Sequence, residues 1–126
     1  MTATKKSTIA VVDNNPSVLE SLQNLLESAG YGVLLFSSAP AFLDASWLSA
    51  VDCLISDIGM PLVDGFELRR LANRARPNLP VFLITGRHEI SKEQRSSEEV
   101  HQRFFQKPFD GGELLMAVSN ALEGRH

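Results

Sequence analysis

Cysteine and long apolar runs are scarce in this chain of 126 residues, and basic residues do not outnumber acidic ones. Its one cysteine, Cys53, permits no internal disulfide. No apolar run approaches the roughly 20 residues of a membrane-spanning helix, and residues 1–7 lack the apolar stretch of a signal peptide. The net charge of −3 is opposite in sign to the basic excess of most nucleic-acid-binding domains. These absences favour a cytoplasmic protein that is not in a membrane and makes no direct contact with nucleic acid.

A further absence is local. Residues 91–99 include no apolar side chain. A helix in this segment would have no face to bury, so packing would not hold it in place. We therefore predict that a helix here is short, shifted or mobile.

Elsewhere the chain has ample apolar material, 44% of its residues, which is enough for one core. We predict one domain over residues 1–126, with a core from about residue 7 to 123. Short apolar runs alternate with stretches of helical spacing, and the runs read as strands at residues 9–12, 33–36, 53–55, 81–84 and 104–106. This alternation predicts an α/β fold with a doubly wound, five-stranded parallel sheet, because right-handed crossovers return the chain to the same sheet direction.

Polar side chains stand where these predicted strands end. They are Asp13 and Asn14 after the first strand, Asp57 after the third, Thr85 after the fourth and Lys107 after the fifth. The carboxyl ends of parallel strands share one edge, so we expect these groups to meet there. Neighbouring carboxylates repel by roughly 1–4 kcal/mol unless a cation lies between them, and oxygen ligands of this kind suit Mg²⁺. With an ammonium and a hydroxyl nearby, the set fits phosphoryl transfer to the Asp57 carboxylate.

Four sequence features together resemble the receiver domain of two-component response regulators, the CheY-like family. In chain order they are Asp13, Asp57-x-x-Met60-Pro61-x-x-Asp64-Gly65-x-Glu67-Leu68, Ile84-Thr85-Gly86 and Lys107-Pro108-Phe109. Together they extend the resemblance over about residues 7–123, in the family's order and spacing. The last two are similar to those of FixJ-type regulators, whose receiver precedes a helix-turn-helix output domain. The resemblance implies the flavodoxin-like strand order 2-1-3-4-5.

The resemblance also implies that Asp57 accepts a phosphoryl group from a sensor histidine kinase or a phosphotransfer protein. Asp13, Asn14, Asp57 and the backbone carbonyl of Gly59 would hold Mg²⁺. Receivers of this type usually have a second acid where this chain has Asn14. A neutral amide oxygen still coordinates Mg²⁺ but attracts a dication less. We therefore expect weak metal binding, and phosphorylation that needs more Mg²⁺ or is impaired.

On the same resemblance, Thr85 would bind the phosphoryl group and Lys107 would pair with it, with a cis peptide bond between Lys107 and Pro108. Phe104 would be the aromatic switch residue, whose ring turns inward as Thr85 moves. The implied domain is a signalling switch, not an enzyme, although it would promote its own phosphorylation and dephosphorylation. The sequence leaves open whether the receiver is free-standing or part of a longer regulator. In the second case the resemblance implies a C-terminal DNA-binding output domain outside this chain, and in either case a second copy in a homodimer formed on activation.

Three classes of function remain open on sequence alone. The first is the phosphoacceptor switch, and the second is a pseudo-receiver that acts as an interaction module without phosphorylation, which Asn14 and residues 91–99 favour. The third, a small hydrolase or nucleotide binder on the same fold, is disfavoured. Gly59 stands where an aspartyl phosphatase would have a second acid, and no glycine-rich loop follows the first strand. Purely structural interpretations also exist: Asp57 as a turn-forming acid, Asp13 as a neighbour of a helix cap and Phe104 as a core residue.

Overall fold

The computed structural model describes residues 7–44, 48–60, 62–85, 104–107 and 109–123. The elements in these ranges are β1 (Thr8–Val12), α1 (Pro16–Ser28), β2 (Gly32–Phe36), α2 (Ala39–Asp44), β3 (Cys53–Asp57), α3 (Gly65–Ala75), β4 (Val81–Thr85), β5 (Phe104–Gln106) and α4 (Gly111–Glu123). No helix in these ranges combines the length and the apolar character needed to cross a membrane. The predictions for residues 91–99 and for the peptide bond before Pro108 lie outside the described residues.

The five strands form one parallel sheet in the order β2-β1-β3-β4-β5. This confirms the predicted α/β class, the doubly wound sheet and the strand order. The order reverses direction between β1 and β3, and ligands of open parallel sheets bind in the crevice at such a switch point. Asp57 ends β3, and Asp13 follows directly after β1. The topology therefore brings both acids to the same crevice.

Helices cover both faces of the sheet, which explains why its strands are mostly apolar. Leu54 and Ile55 are adjacent on β3, point to opposite faces and are both fully buried. One core, which we call the α2–α3 core, includes Phe42, Leu54, Leu68, Ala72 and Leu83. The other includes Leu22, Leu26, Ile55, Leu114 and Val118, from β3 and the helices α1 and α4. Burial on both faces holds the strand ends in fixed positions relative to one another.

Side-chain caps determine where the helices α1 and α4 begin. The Asn15 side chain accepts a hydrogen bond of 2.9 Å from the Ser17 backbone N–H, and Pro16 is the first helical residue. Proline suits that position because its missing N–H would have no partner inside the helix. At α4, Asp110 accepts a hydrogen bond of 3.0 Å from the Glu113 backbone N–H. The two caps fix the helix starts next to the carboxyl edge of the sheet.

Leu62, in the loop between β3 and α3, adopts the left-handed backbone conformation with φ of 72° and has a side chain that is 91% exposed. That conformation costs a residue with a Cβ about 1–2 kcal/mol, and the exposed side chain regains almost nothing by burial. We expect Leu62→Asn to raise the free energy of unfolding by about 1 kcal/mol, since asparagine tolerates this conformation. Urea unfolding measures the change. Leu62→Ala keeps the backbone cost and serves as the control. A less stable asparagine variant would contradict the prediction.

Candidate functional site

Two carboxylates and one ammonium meet at the carboxyl edge of the sheet. Asp13 and Asp57 are only 1% and 6% exposed. The Lys107 Nζ atom lies 3.5 Å from Asp13 Oδ2 and 3.3 Å from Asp57 Oδ1. The structure thus brings together three residues, the first and last of which are 94 positions apart in the sequence. We call this group the carboxylate pocket.

Asp13 uses its two carboxylate oxygens differently. Oδ1 accepts a hydrogen bond of 2.8 Å from the Asn15 backbone N–H, which shapes the turn from β1 into α1. Oδ2 is buried and faces Lys107, and no residue in the described part of the chain donates a hydrogen bond to it. The structural interpretation of Asp13 as a neighbour of the α1 cap is therefore correct for one oxygen only. The other oxygen is available to a cation.

Lys107 follows β5, the edge strand of the sheet, and its side chain extends back to the pocket. Its backbone N–H donates a hydrogen bond of 2.7 Å to the Thr85 carbonyl, which ties the residue after β5 to the end of β4. From there the side chain, 30% exposed, extends to the two acids beside β1 and β3. Because both carboxylates are buried, their attraction to the ammonium is screened less than it would be at an open surface. Lys107 thus offsets the repulsion between the two acids.

The first turn of α3 packs directly on the backbone of Asp57. A Cβ atom added to Gly65 would lie 2.5 Å from the Asp57 carbonyl oxygen and 2.8 Å from the Ile58 Cα. The Gly65 N–H also donates a hydrogen bond of 3.0 Å to the Ile58 carbonyl. In the sequence, Gly65 stands out only as part of a motif, and the motif does not indicate this contact. The available signal was a glycine at the start of a helix, where it costs helix propensity and therefore calls for a packing reason.

The remaining predicted site residues lie at or near the same edge. Thr85 ends β4 and is 1% exposed. Phe104 begins β5, is half-buried and packs against the α2–α3 core. Asn14 and Gly59 are exposed in the loops that follow β1 and β3. The structure gives their positions, while their roles in metal binding and switching stay predictions.

The pocket has few charged oxygen ligands for a metal ion. In the part of the chain that the structure describes, no group of three or more His, Cys, Asp or Glu side chains is arranged to hold one. A site here would combine the two acids, Asp13 and Asp57, with the neutral oxygens of Asn14 and Gly59. The buried Asp13 Oδ2, which faces an ammonium, shows that the pocket accommodates positive charge. This donor set fits Mg²⁺, with less negative charge than three carboxylates would supply.

A second ion pair, on the exposed side of α3, belongs to the helix surface. The Arg70 guanidinium donates hydrogen bonds to the Glu67 carboxylate. These hydrogen bonds lower the pKa of Glu67 below its ordinary value and raise the pKa of Arg70 above its own. Both groups are exposed to solvent, so the pair contributes little to stability.

Comparison with known proteins gives one consistent result. Residues 9–119 match the family model of the response regulator receiver domain. The chain is 34% identical over 119 residues to the transcriptional regulatory protein FixJ of Bradyrhizobium diazoefficiens, across 94% of this chain and 58% of FixJ. It is 35% identical over 119 residues to the response regulator protein TodT of Pseudomonas putida, across 94% of this chain and 52% of TodT. The chain thus spans between half and three fifths of these curated relatives.

The structural likeness extends over nearly the whole chain. The signal receiver domain of an HD domain-containing protein from Pseudomonas fluorescens superimposes with a TM-score of 0.83 and 30% identity, over 97% of this chain and 98% of that one. The family match from residue 9 to residue 119 includes all three residues of the carboxylate pocket. Motifs, sheet order, pocket and relatives agree, and the chain belongs to the response regulator receiver domain family of two-component signalling.

Proposed function

We propose that Asp57 accepts a phosphoryl group from a phosphohistidine of a sensor histidine kinase or a phosphotransfer protein. A carboxylate oxygen of Asp57 forms a bond to phosphorus while the phosphorus–nitrogen bond of the donor breaks, and the electron pair of that bond stays on the imidazole nitrogen. One observation carries the proposal. The Lys107 ammonium lies 3.3 Å from Asp57 and 3.5 Å from a second buried acid, Asp13, at the ligand-binding edge of the sheet.

The chain's own groups then have distinct tasks in this proposal. The Lys107 ammonium neutralises charge on the incoming phosphoryl oxygens, and the Thr85 hydroxyl donates a hydrogen bond to one of them. When bound, Mg²⁺ would neutralise further charge on those oxygens and orient them. The oxygens proposed to hold the ion belong to Asp13, Asn14, Asp57 and the backbone carbonyl of Gly59.

Acetyl phosphate and Mg²⁺ test the proposal without a protein donor. We expect the wild-type chain to gain the mass of one phosphoryl group in a bond that hydroxylamine cleaves, as an acyl phosphate requires. Asp57→Asn removes the nucleophile and keeps the side-chain shape, so this variant should gain none. Asp110→Asn, which retains a helix-capping side chain, should behave like the wild type. A wild-type chain that gains no mass even at high Mg²⁺ would instead support the phosphorylation-independent interaction module.

Asn14→Asp tests the proposed metal ligands. We expect the dissociation constant for Mg²⁺, measured by titration calorimetry, to fall about tenfold, because one added charge beside a dication contributes on the order of 1–2 kcal/mol in a solvent-exposed loop. The matched control is Asn15→Asp, which adds the same charge at the neighbouring position and still caps α1. Equal affinities in the two variants would show that Asn14 does not face the ion.

The proposal extends to signalling beyond the pocket. Movement of Thr85 toward the phosphoryl group would let the ring of Phe104 turn inward, and the altered surface would favour a homodimer. The relative FixJ is a transcriptional regulatory protein, which supports control of a DNA-binding output domain in the cytoplasm. In this proposal the domain is a switch that takes up and loses its own phosphoryl group and acts on no other substrate.

A further inference from the structure

Ser56 places a hydroxyl in the apolar interior next to the carboxylate pocket. Ser56 is fully buried on β3, directly before Asp57. Its neighbours in register are Val12 on β1 and Leu83 on β4, both members of the α2–α3 core. A buried hydroxyl costs free energy unless it makes a hydrogen bond. Ser56 Oγ makes one, of 2.9 Å, to the backbone carbonyl of Asp57.

That same carbonyl also touches α3. The Asp57 oxygen lies where a Cβ atom on Gly65 would approach to 2.5 Å, so the first turn of α3 covers it closely. On the other side of the peptide bond, the Ile58 N–H donates a hydrogen bond of 3.0 Å to the Ile84 carbonyl. The peptide between Asp57 and Ile58 is therefore held by a hydroxyl, by a helix and by the adjacent strand.

We propose that Ser56 is a positioning residue for phosphoryl transfer to Asp57. Its hydroxyl holds the peptide that follows the nucleophile, and this peptide sets the direction in which the short Asp57 side chain reaches Lys107, 3.3 Å away. Small misplacements of a reacting group are costly, and a shift of about 1 Å can slow a reaction roughly 100-fold. The inference rests on the proposed function, since it concerns the rate at which that same carboxylate reacts.

Three substitutions at position 56 separate the hydrogen bond from the packing. Ser56→Ala removes the donor, and Ser56→Cys keeps the side-chain shape, with a larger sulfur in place of the oxygen and only a weak donor. Ser56→Thr keeps the hydroxyl. With acetyl phosphate at saturating Mg²⁺, the new bond joins an Asp57 oxygen to phosphorus, the bridging oxygen–phosphorus bond breaks and acetate leaves. We expect adduct formation about tenfold slower in the alanine and cysteine variants, and a rate within about threefold of the wild type with threonine.

Val81→Ala is the matched control for a general loss of stability. Val81 is buried in the same α2–α3 core, and its register partner is Leu54, two residues before Ser56. All variants are assayed at one temperature, at which thermal unfolding shows each of them to be fully folded. Val81→Ala should lower the melting temperature and leave the rate unchanged, whereas the alanine and cysteine variants at position 56 should lower the rate.

The outcomes distinguish this inference from the function on which it rests. If Ser56→Ala and Ser56→Cys react as fast as Val81→Ala, the positioning role is wrong while the phosphoacceptor function stands. If the wild type forms no hydroxylamine-labile adduct on the peptide that contains Asp57, both are wrong. A threonine variant that folds, binds Mg²⁺ like the wild type and reacts as slowly as the alanine variant would also overturn the role of the hydroxyl.

Discussion

Gly65→Ala is expected to lower the free energy of unfolding by about 3 kcal/mol and to slow phosphorylation of Asp57 by acetyl phosphate. The added methyl would lie 2.5 Å from the Asp57 carbonyl oxygen and 2.8 Å from the Ile58 Cα. Both are backbone atoms at the end of β3, so no side-chain rotation relieves the contact. Either α3 moves away from the sheet or the end of β3 moves with the nucleophile. Urea unfolding and the rate of mass gain measure the two effects.

Gly112→Ala is the matched control for this substitution. A Cβ atom at Gly112 would meet Asp110 Oδ1 at 3.2 Å, which is the oxygen that caps α4, so this exposed side chain must shift by a few tenths of an ångström. Alanine favours the helix over glycine by about 1 kcal/mol, which offsets a weakened cap of similar size, so this variant should be about as stable as the wild type. Similar stability in the two alanine variants would show that α3 does not press on the end of β3.

Lys107→Met is expected to lower the free energy of unfolding by about 2 kcal/mol near neutral pH. Removing one partner of a buried ion pair costs about 3–5 kcal/mol, and the 30% exposure of the Lys107 side chain reduces that cost. The substitution removes the ammonium from beside two acids that are 1% and 6% exposed. Their mutual repulsion is then no longer offset by this cation. Urea unfolding in buffer without divalent ions measures the loss.

A double variant distinguishes two causes of the stability lost in Lys107→Met: repulsion between the two acids and loss of side-chain packing. Asp13→Asn added to Lys107→Met removes one of the two repelling charges, so it should recover more than half of the lost stability. Arg70→Met, which breaks an exposed ion pair, should change stability little by comparison. A double variant less stable than Lys107→Met alone would mean that repulsion between the acids is not the cause.

The local pattern of apolar residues was sufficient to predict most of the fold. The apolar runs predicted the strands to within one or two residues; residues 53–55, for example, became Cys53–Asp57. Strands buried on both faces leave a continuous apolar signal, which is the easiest one to read in a single sequence. Polar residues at the ends of these runs indicated the pocket, because parallel strands place their carboxyl ends on one edge.

Contacts made by individual backbone groups left no comparable pattern. Neither the close approach of Gly65 to Asp57 nor the hydrogen bond from Ser56 follows from a periodicity of 2 or 3.6 residues. The left-handed conformation of Leu62 is equally hidden, because asparagine or glycine is the usual marker of that conformation and leucine is not. The different roles of the two Asp13 oxygens likewise depend on where the Lys107 side chain lies in the folded chain.

By itself, the sequence determined the parallel α/β sheet, its family and the identity of the acids and the ammonium at its edge. The spacing of apolar residues and the polar residues at strand ends are properties of short segments, so they can be recognised along the sequence. The tertiary structure alone decided how the Asp57 peptide is held, which oxygen of Asp13 faces a cation and how near Lys107 comes to both acids. These depend on the crossovers that bring β1, β3 and β5 together, and only the folded chain sets those distances.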